Sequence, residues 1–146
     1  MPITKGFRVL VDQAMAEVKT YTVAEVMAKS AHESADSKNK GNVQIVDIRD
    51  VRELKDGTVT GSYHAPRCML EFWVDPESPY HKKIWADESK EFILFCGAGW
   101  RSALATKTLQ DMGMTNVAHM EGGYEAWVNA GGSVETLEER KTKKTL

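Results

Sequence analysis

The sequence predicts an α/β domain built on a mainly parallel open sheet with helices on both faces. Two patterns predict it. Short β-branched or apolar runs alternate with helical periodicity from Val18 to Val128, and such alternation is how parallel sheets are wound. The run Phe92-Ile93-Leu94-Phe95 is unbroken by any polar residue, as expected of a strand buried on both faces.

In chain order, Ile3, Phe7, Leu10, Val11, Ala14, Met15 and Val18 recur at spacings of three and four, an amphipathic helix over residues 1–19. Its apolar stripe packs on its own domain in the simpler reading, or forms a dimerisation element in the other. Val18 to Tyr21 is a short edge strand. Thr22 and Glu25 then stand at capping-box spacing before a helix whose apolar face carries Val23, Val26 and Met27. Ser30 to Asn42 has no large apolar residue and reads as a solvated loop. Val43 to Arg49 is the next strand, with Asp47 near its carboxyl end. Arg49 and Glu53 are expected to form a structural ion pair. Met69 to Val74 reads as a short helix, and Asp75 to Lys90 as a loop with at most one helical turn at residues 81–85.

The strand at Phe92–Phe95 runs into Cys96-Gly97-Ala98-Gly99-Trp100-Arg101, and Ser102 to Met112 reads as a helix. Leu104, Thr108 and Met112 lie on one of its faces, and Gly113 is its stop. A thiol therefore sits at the carboxyl end of a strand, where open α/β sheets place ligands. Gly97 and Gly99 allow successive N–H groups to turn inward as an anion cradle. The following helix adds partial positive charge, and Arg101 a fixed cation able to grip an oxyanion. All of these favour Cys96 as a thiolate nucleophile, and the same cradle suits an anionic substrate. Asn116 to Met120 is a further strand. Glu121-Gly122-Gly123 is a tight turn into a helix anchored by Tyr124, Trp127 and Val128, read as packing without chemistry. Residues 132–146 form a charged tail, expected to fray.

Composition bounds the function. A chain of 146 residues suits one domain, and a net charge of −2 gives no reason to expect nucleic acid or an anionic membrane. No apolar run nears the roughly 20 residues of a membrane span. Two cysteines, Cys68 and Cys96, are too few for a disulfide scaffold. With no secretory signal visible, the expected compartment is the cytoplasm. The four histidines (His32, His64, His81 and His119) show no metal-ligand spacing, so neither a metal nor a catalytic role is assigned to them.

The loop Cys96-x4-Arg101 resembles the active-site loop of rhodanese-like sulfurtransferases, counted at six residues inclusive. Val46-Asp47-x-Arg49-x-x-x-Glu53 resembles a second family signature, and Gly122-Gly123-x-x-x-Trp127 a third. Gly57 to Pro66 resembles "Gly-His-Ile-x-Gly-Ala-x-x-x-Pro", departing at Thr58 and Ser62. The resemblance covers residues 20–131 without an internal repeat. It implies a single rhodanese domain that moves sulfur through a persulfide on Cys96, with Gly97, Ala98, Gly99, Trp100 and Arg101 binding the donor; Arg101 would orient the donor's oxygens or brace the loop from behind. It implies no cofactor. Its partners would be a small sulfur-containing anion as donor and a thiol or protein acceptor.

Around that centre, Arg67 is either a second cation at the mouth or a solvated arginine. Ser102 is a supporting residue. Asp47 either accepts hydrogen bonds from the loop and nearby backbone or caps a turn. Cys68 is read as a small buried hydrophobe, the alternative being a thiol that resolves an oxidised Cys96. Trp100 would form a wall of the mouth. Two other classes remain in view. A phosphatase or arsenate reductase uses the same thiolate and arginine, but the related dual-specificity phosphatases carry a loop one residue longer. A binding module of the same fold usually lacks the cysteine.

Overall fold

The structure, a computed structural model, describes residues 1–35 and 42–145. Five parallel strands form the main sheet: β1 (Thr20–Tyr21), β2 (Val43–Asp47), β4 (Tyr63–His64), β5 (Glu91–Phe95) and β6 (Val117–Met120). Their spatial order is β1-β6-β5-β2-β4, with β5 at the centre. Strand β5 shows why its sequence is apolar throughout. Phe92 and Leu94 point to one face, against Ala105 and Leu109 of α4 (Trp100–Asp111) and Leu70 and Val74 of α3 (Leu70–Val74). Ile93 and Phe95 point to the other, against Val26 of α2 (Val23–Ala35) and Trp127 of α5 (Gly123–Asn129). Helices cover both faces, as the sequence predicts.

Helix α1 (Phe7–Glu17) lies on the outer side of α4, where Val11 and Ala14 pack against Ala103. This second layer moves the buried face of α4 away from the expected stripe. Ser102, Ala105, Thr106 and Leu109 are buried against the sheet and Ala103 against α1, whereas Met112 is exposed. The capping box of α2 forms as expected, with Thr22 and Glu25 exchanging hydrogen bonds at 3.0 and 3.1 Å. That helix runs on to Ala35, so residues 30–35 are not the loop the composition suggests; residues 36–41 lie outside the described residues. Near the middle of the chain, the expected helical turn is a 3-10 turn at Lys83–Ala86, where Trp85 is buried and stacks on Phe92.

The carboxyl end is the largest departure from expectation. Instead of fraying, Val134–Glu135 forms β7, antiparallel to β3 (Thr58–Val59), and Leu137–Thr145 forms α6. The reason is a polar contact that a charge count hides. Glu135 is only 4% exposed, accepts the Gly61 N–H at 2.9 Å and pairs with Arg140 at 2.8 Å. Arg140 also donates to the Val59 carbonyl and to Ser62 Oγ. Removing one partner of such a pair leaves a buried charge uncompensated. Arg140→Ala is therefore expected to cost about 3 kcal/mol, read as a lower denaturant midpoint at unchanged slope.

Candidate active site

Cys96 follows the last residue of β5, and the chain then reverses through Gly97, Ala98 and Gly99 into α4. Gly99 has φ +105° and caps the helix, and a Cβ there would lie 3.1 Å from the Gly122 nitrogen. The loop backbone is held from outside by the start of α5. Tyr124 N–H donates to the Cys96 carbonyl at 2.8 Å, and Glu125 N–H to the Gly97 carbonyl at 3.1 Å. Such close approach needs Gly123, whose φ is +62° and whose Cβ would meet the Cys96 oxygen at 2.5 Å and the Gly97 carbonyl carbon at 2.7 Å. The Gly122-Gly123 turn thus does more than pack. It binds the loop carbonyls on the outside and leaves N–H groups for the inside.

Two of those amides point at the sulfur. Gly99 N–H and Ser102 N–H lie 3.1 and 3.4 Å from Cys96 Sγ. Both belong to the loop-to-helix junction, so the partial positive charge of the α4 amino terminus adds to them. Ser102 Oγ is 3.6 Å from the sulfur. Cys96 is 1% exposed, so a reactant must reach it through the loop mouth. Ala98 and Trp100 are exposed on the loop, and Gly97 and Arg101 are half-buried.

Arg101 does not extend freely into solvent. Its guanidinium makes a bidentate pair with Glu53 at 2.8 and 3.0 Å and passes beside Gly97. Glu53 also accepts the Asp50 N–H at 2.9 Å, anchoring it to the 3-10 turn Val51–Asp56. The hydrogen bonds to Arg101 hold Glu53 below its ordinary range, and Arg101 is raised in turn, chiefly by Glu53 and further by Cys96. A depressed carboxylate keeps its pair above the ordinary glutamate range and loses it only as pH falls through the lowered value.

The expected Arg49–Glu53 ion pair is corrected. Arg49 is buried and pairs with Asp47 through Nε at 3.0 Å and Nη2 at 2.9 Å, touching only the backbone oxygen of Glu53. Asp47 accepts from the Arg49 N–H and from Thr58 Oγ1, not from the Cys96 loop. Thr58 in turn lies 3.0 Å from Ser62 Oγ. The two departures from the familiar motif are therefore hydrogen-bonded to each other, and Ser62 continues the chain to Arg140 of α6.

Arg67 and Cys68 sit in a 3-10 turn, Arg67–Met69, both exposed. The reading of Cys68 as a buried hydrophobe is thus overturned: the turn projects outward and buries Leu70 instead. Arg67 lines a small cavity with Leu70 and Glu71 of α3 and Ala105, Thr108 and Leu109 of α4. Trp100 is 46% exposed beside the loop, with the ring of Phe7 5.0 Å from its own and the Arg8 guanidinium 4.9 Å above it. Helix α1 therefore reaches the loop mouth. A cavity of about 220 Å³ separates α1 from the loop, lined in part by Met15, Ala98, Gly99, Trp100 and His119.

His119 is the residue that sequence reasoning left without a role. It is buried on β6, with Nδ1 3.2 Å from Ser102 Oγ and Nε2 2.9 Å from Met15 Sδ. Burial pushes it down to about 4. Sequence spacing gave no signal, because seventeen positions separate it from Ser102. Among the described residues, no three His, Cys, Asp or Glu side chains gather to hold a metal, and no helix is long and apolar enough to cross a membrane.

Comparison with known proteins identifies the family and the fold. The rhodanese-like domain family matches residues 30–130. Rhodanese-like domain-containing protein 17 of Arabidopsis thaliana is 30% identical over 121 residues, 80% of this chain and 73% of its own length. Thiosulfate sulfurtransferase GlpE of Shewanella oneidensis is 29% identical over 89 residues, 61% of this chain and 79% of its own. A protein of unknown function from Rhodopseudomonas palustris, described as a possible tyrosine phosphatase, is 46% identical. Its structure superposes with a TM-score of 0.84, covering 92% of this chain and 98% of that one. By its family match, its parallel sheet and its Cys96 loop, this chain belongs to the rhodanese-like domain family.

Proposed function

We propose that the protein is a sulfurtransferase that carries a sulfane sulfur on Cys96 between a small anionic donor, such as thiosulfate, and a thiophilic acceptor. The observation that carries the reading is the pair of N–H groups, one from Gly99 of the six-residue loop and one from Ser102 in the first turn of α4, aimed at Cys96 Sγ. Such fixed donors stabilise negative charge on the sulfur without reorganising during the reaction. In the first step the thiolate attacks the outer sulfur of thiosulfate. The S–S bond breaks and its electron pair leaves with sulfite. The outer sulfur stays on Cys96 as a persulfide. In the second step a cyanide or thiol nucleophile attacks that sulfur and Cys96 departs as thiolate. Gly97, Ala98, Gly99 and Trp100 line the path to the sulfur, Ser102 supports it, and Arg67 remains a candidate second cation.

Arg101 braces the loop in this reading, because its planar fork is engaged by Glu53. Lysine cannot reproduce a bidentate pair. Arg101→Lys is expected to slow sulfur loading about tenfold while costing at most about 1 kcal/mol of stability, since the pair is well exposed. Parallel kinetics and denaturant unfolding check both halves.

A phosphatase reading has one point in its favour, the description of the 46% identical Rhodopseudomonas palustris protein. The loop count opposes it: a tetrahedral phosphate ester needs a wider cradle than one sulfur atom. The deciding test is the intact mass of the reduced protein before and after thiosulfate, with peptide mapping. Gain of one sulfur atom on Cys96, reversed by cyanide or a thiol, supports sulfur transfer. No adduct from thiosulfate or from other sulfane donors, together with hydrolysis of a small phosphate ester, would replace it with the phosphatase reading.

A further inference from the structure

The buried pair of Asp47 and Arg49 makes contacts that neutralising two charges does not explain. Asp47 is fully buried and Arg49 is 5% exposed. Desolvation offsets much of the attraction in such a pair, so the pair by itself is a weak source of stability. Its geometry is nevertheless tightly specified. Asp47 accepts from Arg49 Nε and Nη2 at 3.0 and 2.9 Å, and Thr58 Oγ1 donates to Asp47 Oδ2 at 2.6 Å. The carboxylate thereby fixes the plane in which the guanidinium lies.

That plane meets two supports of the Cys96 loop. At its edge, Nη2 donates to the Gly57 carbonyl at 2.9 Å and Nη1 to the Glu53 carbonyl at 3.3 Å. These oxygens belong to the 3-10 turn Val51–Asp56 and the glycine that ends it, and the Glu53 carboxylate is the group that grips Arg101. On its flat face, the guanidinium carbon lies 4.2 Å from the centroid of the Tyr124 ring, a close cation–π contact away from water. The Tyr124 ring in turn stacks on Phe95, the residue before Cys96, with centroids 6.3 Å apart. Tyr124 N–H is the donor that holds the Cys96 carbonyl, and the next N–H, of Glu125, holds the Gly97 carbonyl. One side chain therefore reaches both the turn that places Arg101 and the helix start that draws the loop carbonyls outward.

We propose that Arg49 is a positioning residue for the Cys96 loop: fixed by Asp47, it holds Tyr124 by its ring and Glu53 by its carbonyl, and so sets where the loop amides point. The link from carbonyl to amide is covalent. In a trans peptide the C=O and the following N–H point in opposite directions, so holding the Cys96 and Gly97 carbonyls outside turns the Gly97 and Ala98 N–H groups inward. Arg49 touches neither the sulfur nor a donor; it acts through residues that do the holding. The inference rests on the sulfurtransferase reading for its rate measurement, but not for its structural one.

Two variants test it. Arg49→Lys keeps a charge beside Asp47 but has no planar fork, so it cannot bond both turn carbonyls while lying flat on the ring. Asp47→Asn combined with Arg49→Gln removes both charges together and leaves neither unpaired. The first reading is the rate of sulfur loading at saturating thiosulfate, per chain that finally loads. It is expected to fall about tenfold or more, the scale of a small displacement of catalytic groups. The second is amide hydrogen exchange followed by NMR. Tyr124 and Glu125 are expected to lose about tenfold more protection than Ile93 and Leu94 of the central strand, which report global opening. A merely structural pair would lower all four amides alike and leave the rate per loading chain at its wild-type value, and that result would overturn the inference. Slower loading without the local loss of protection, or the local loss without slower loading, would overturn it as well. Should the wild type load no sulfur, the sulfurtransferase reading fails by itself and the exchange comparison alone decides the role of Arg49. If Arg49→Lys does not fold, the double variant decides.

Discussion

Replacing Cys96 by serine is expected to abolish sulfur loading while leaving the fold intact. The serine oxygen fits the same site, where the Gly99 and Ser102 N–H groups can donate to it, so no buried donor is stranded. The hydroxyl is not ionised at neutral pH and forms no persulfide. The loss should be on the order of 10³-fold or more in rate, the scale seen when a nucleophile is removed from an otherwise complete site. Circular dichroism and unfolding midpoints should match the wild type. Persistent loading would have to map to Cys68, the one other thiol of the chain, and would place the chemistry on the exposed turn at Arg67–Met69. That outcome would end the assignment to the Cys96 loop.

Gly123→Ala is expected to damage both stability and activity, although residue 123 is not part of the loop. The added methyl would lie 2.5 Å from the Cys96 carbonyl oxygen and 2.7 Å from the Gly97 carbonyl carbon, backbone atoms that cannot swing aside. The left-handed φ of +62° adds its own cost for any residue with a Cβ. Together they suggest a loss of about 3 kcal/mol or more. Relief requires α5 to draw back, which would break the Tyr124 and Glu125 hydrogen bonds to the loop carbonyls. Gly131→Ala is the control: φ there is also positive, at +81°, but no atom lies within 4 Å of the new methyl. It should lose only about 1 kcal/mol and keep its sulfur loading. Equal losses in the two variants would show that backbone strain, not contact with the loop, governs the site.

Much of the fold was legible because local chemistry and global packing agree. The apolar run at Phe92–Phe95 needs two covered faces, the Thr22–Glu25 box starts a helix wherever it stands, and Gly99 and Gly113 stand where the backbone turns left-handed. The loop of the candidate site was legible for the same reason. A cysteine between a strand and a helix, with glycines and an arginine close by in sequence, makes its cradle from neighbours along the chain. Where sequence reasoning went wrong, the deciding contact was long-range. Residues 133–145 look like a solvated end until Glu135 meets Gly61 and Arg140. Arg49 and Glu53, expected to pair with each other, divide between Asp47 and Arg101 because the 3-10 turn faces Glu53 toward α4.

By itself, then, the sequence determined the parallel sheet, the position of the thiol at a strand end and the amides available to it, all set by hydrophobic period, glycine and separations of a few residues. Only the tertiary structure decided what surrounds that thiol. It set α5 against the outside of the loop, Glu53 on Arg101, and His119 and Met15 behind Ser102. Side chains such as Met15 and His119, 104 positions apart, meet because two layers pack on one sheet, and no local pattern encodes that meeting.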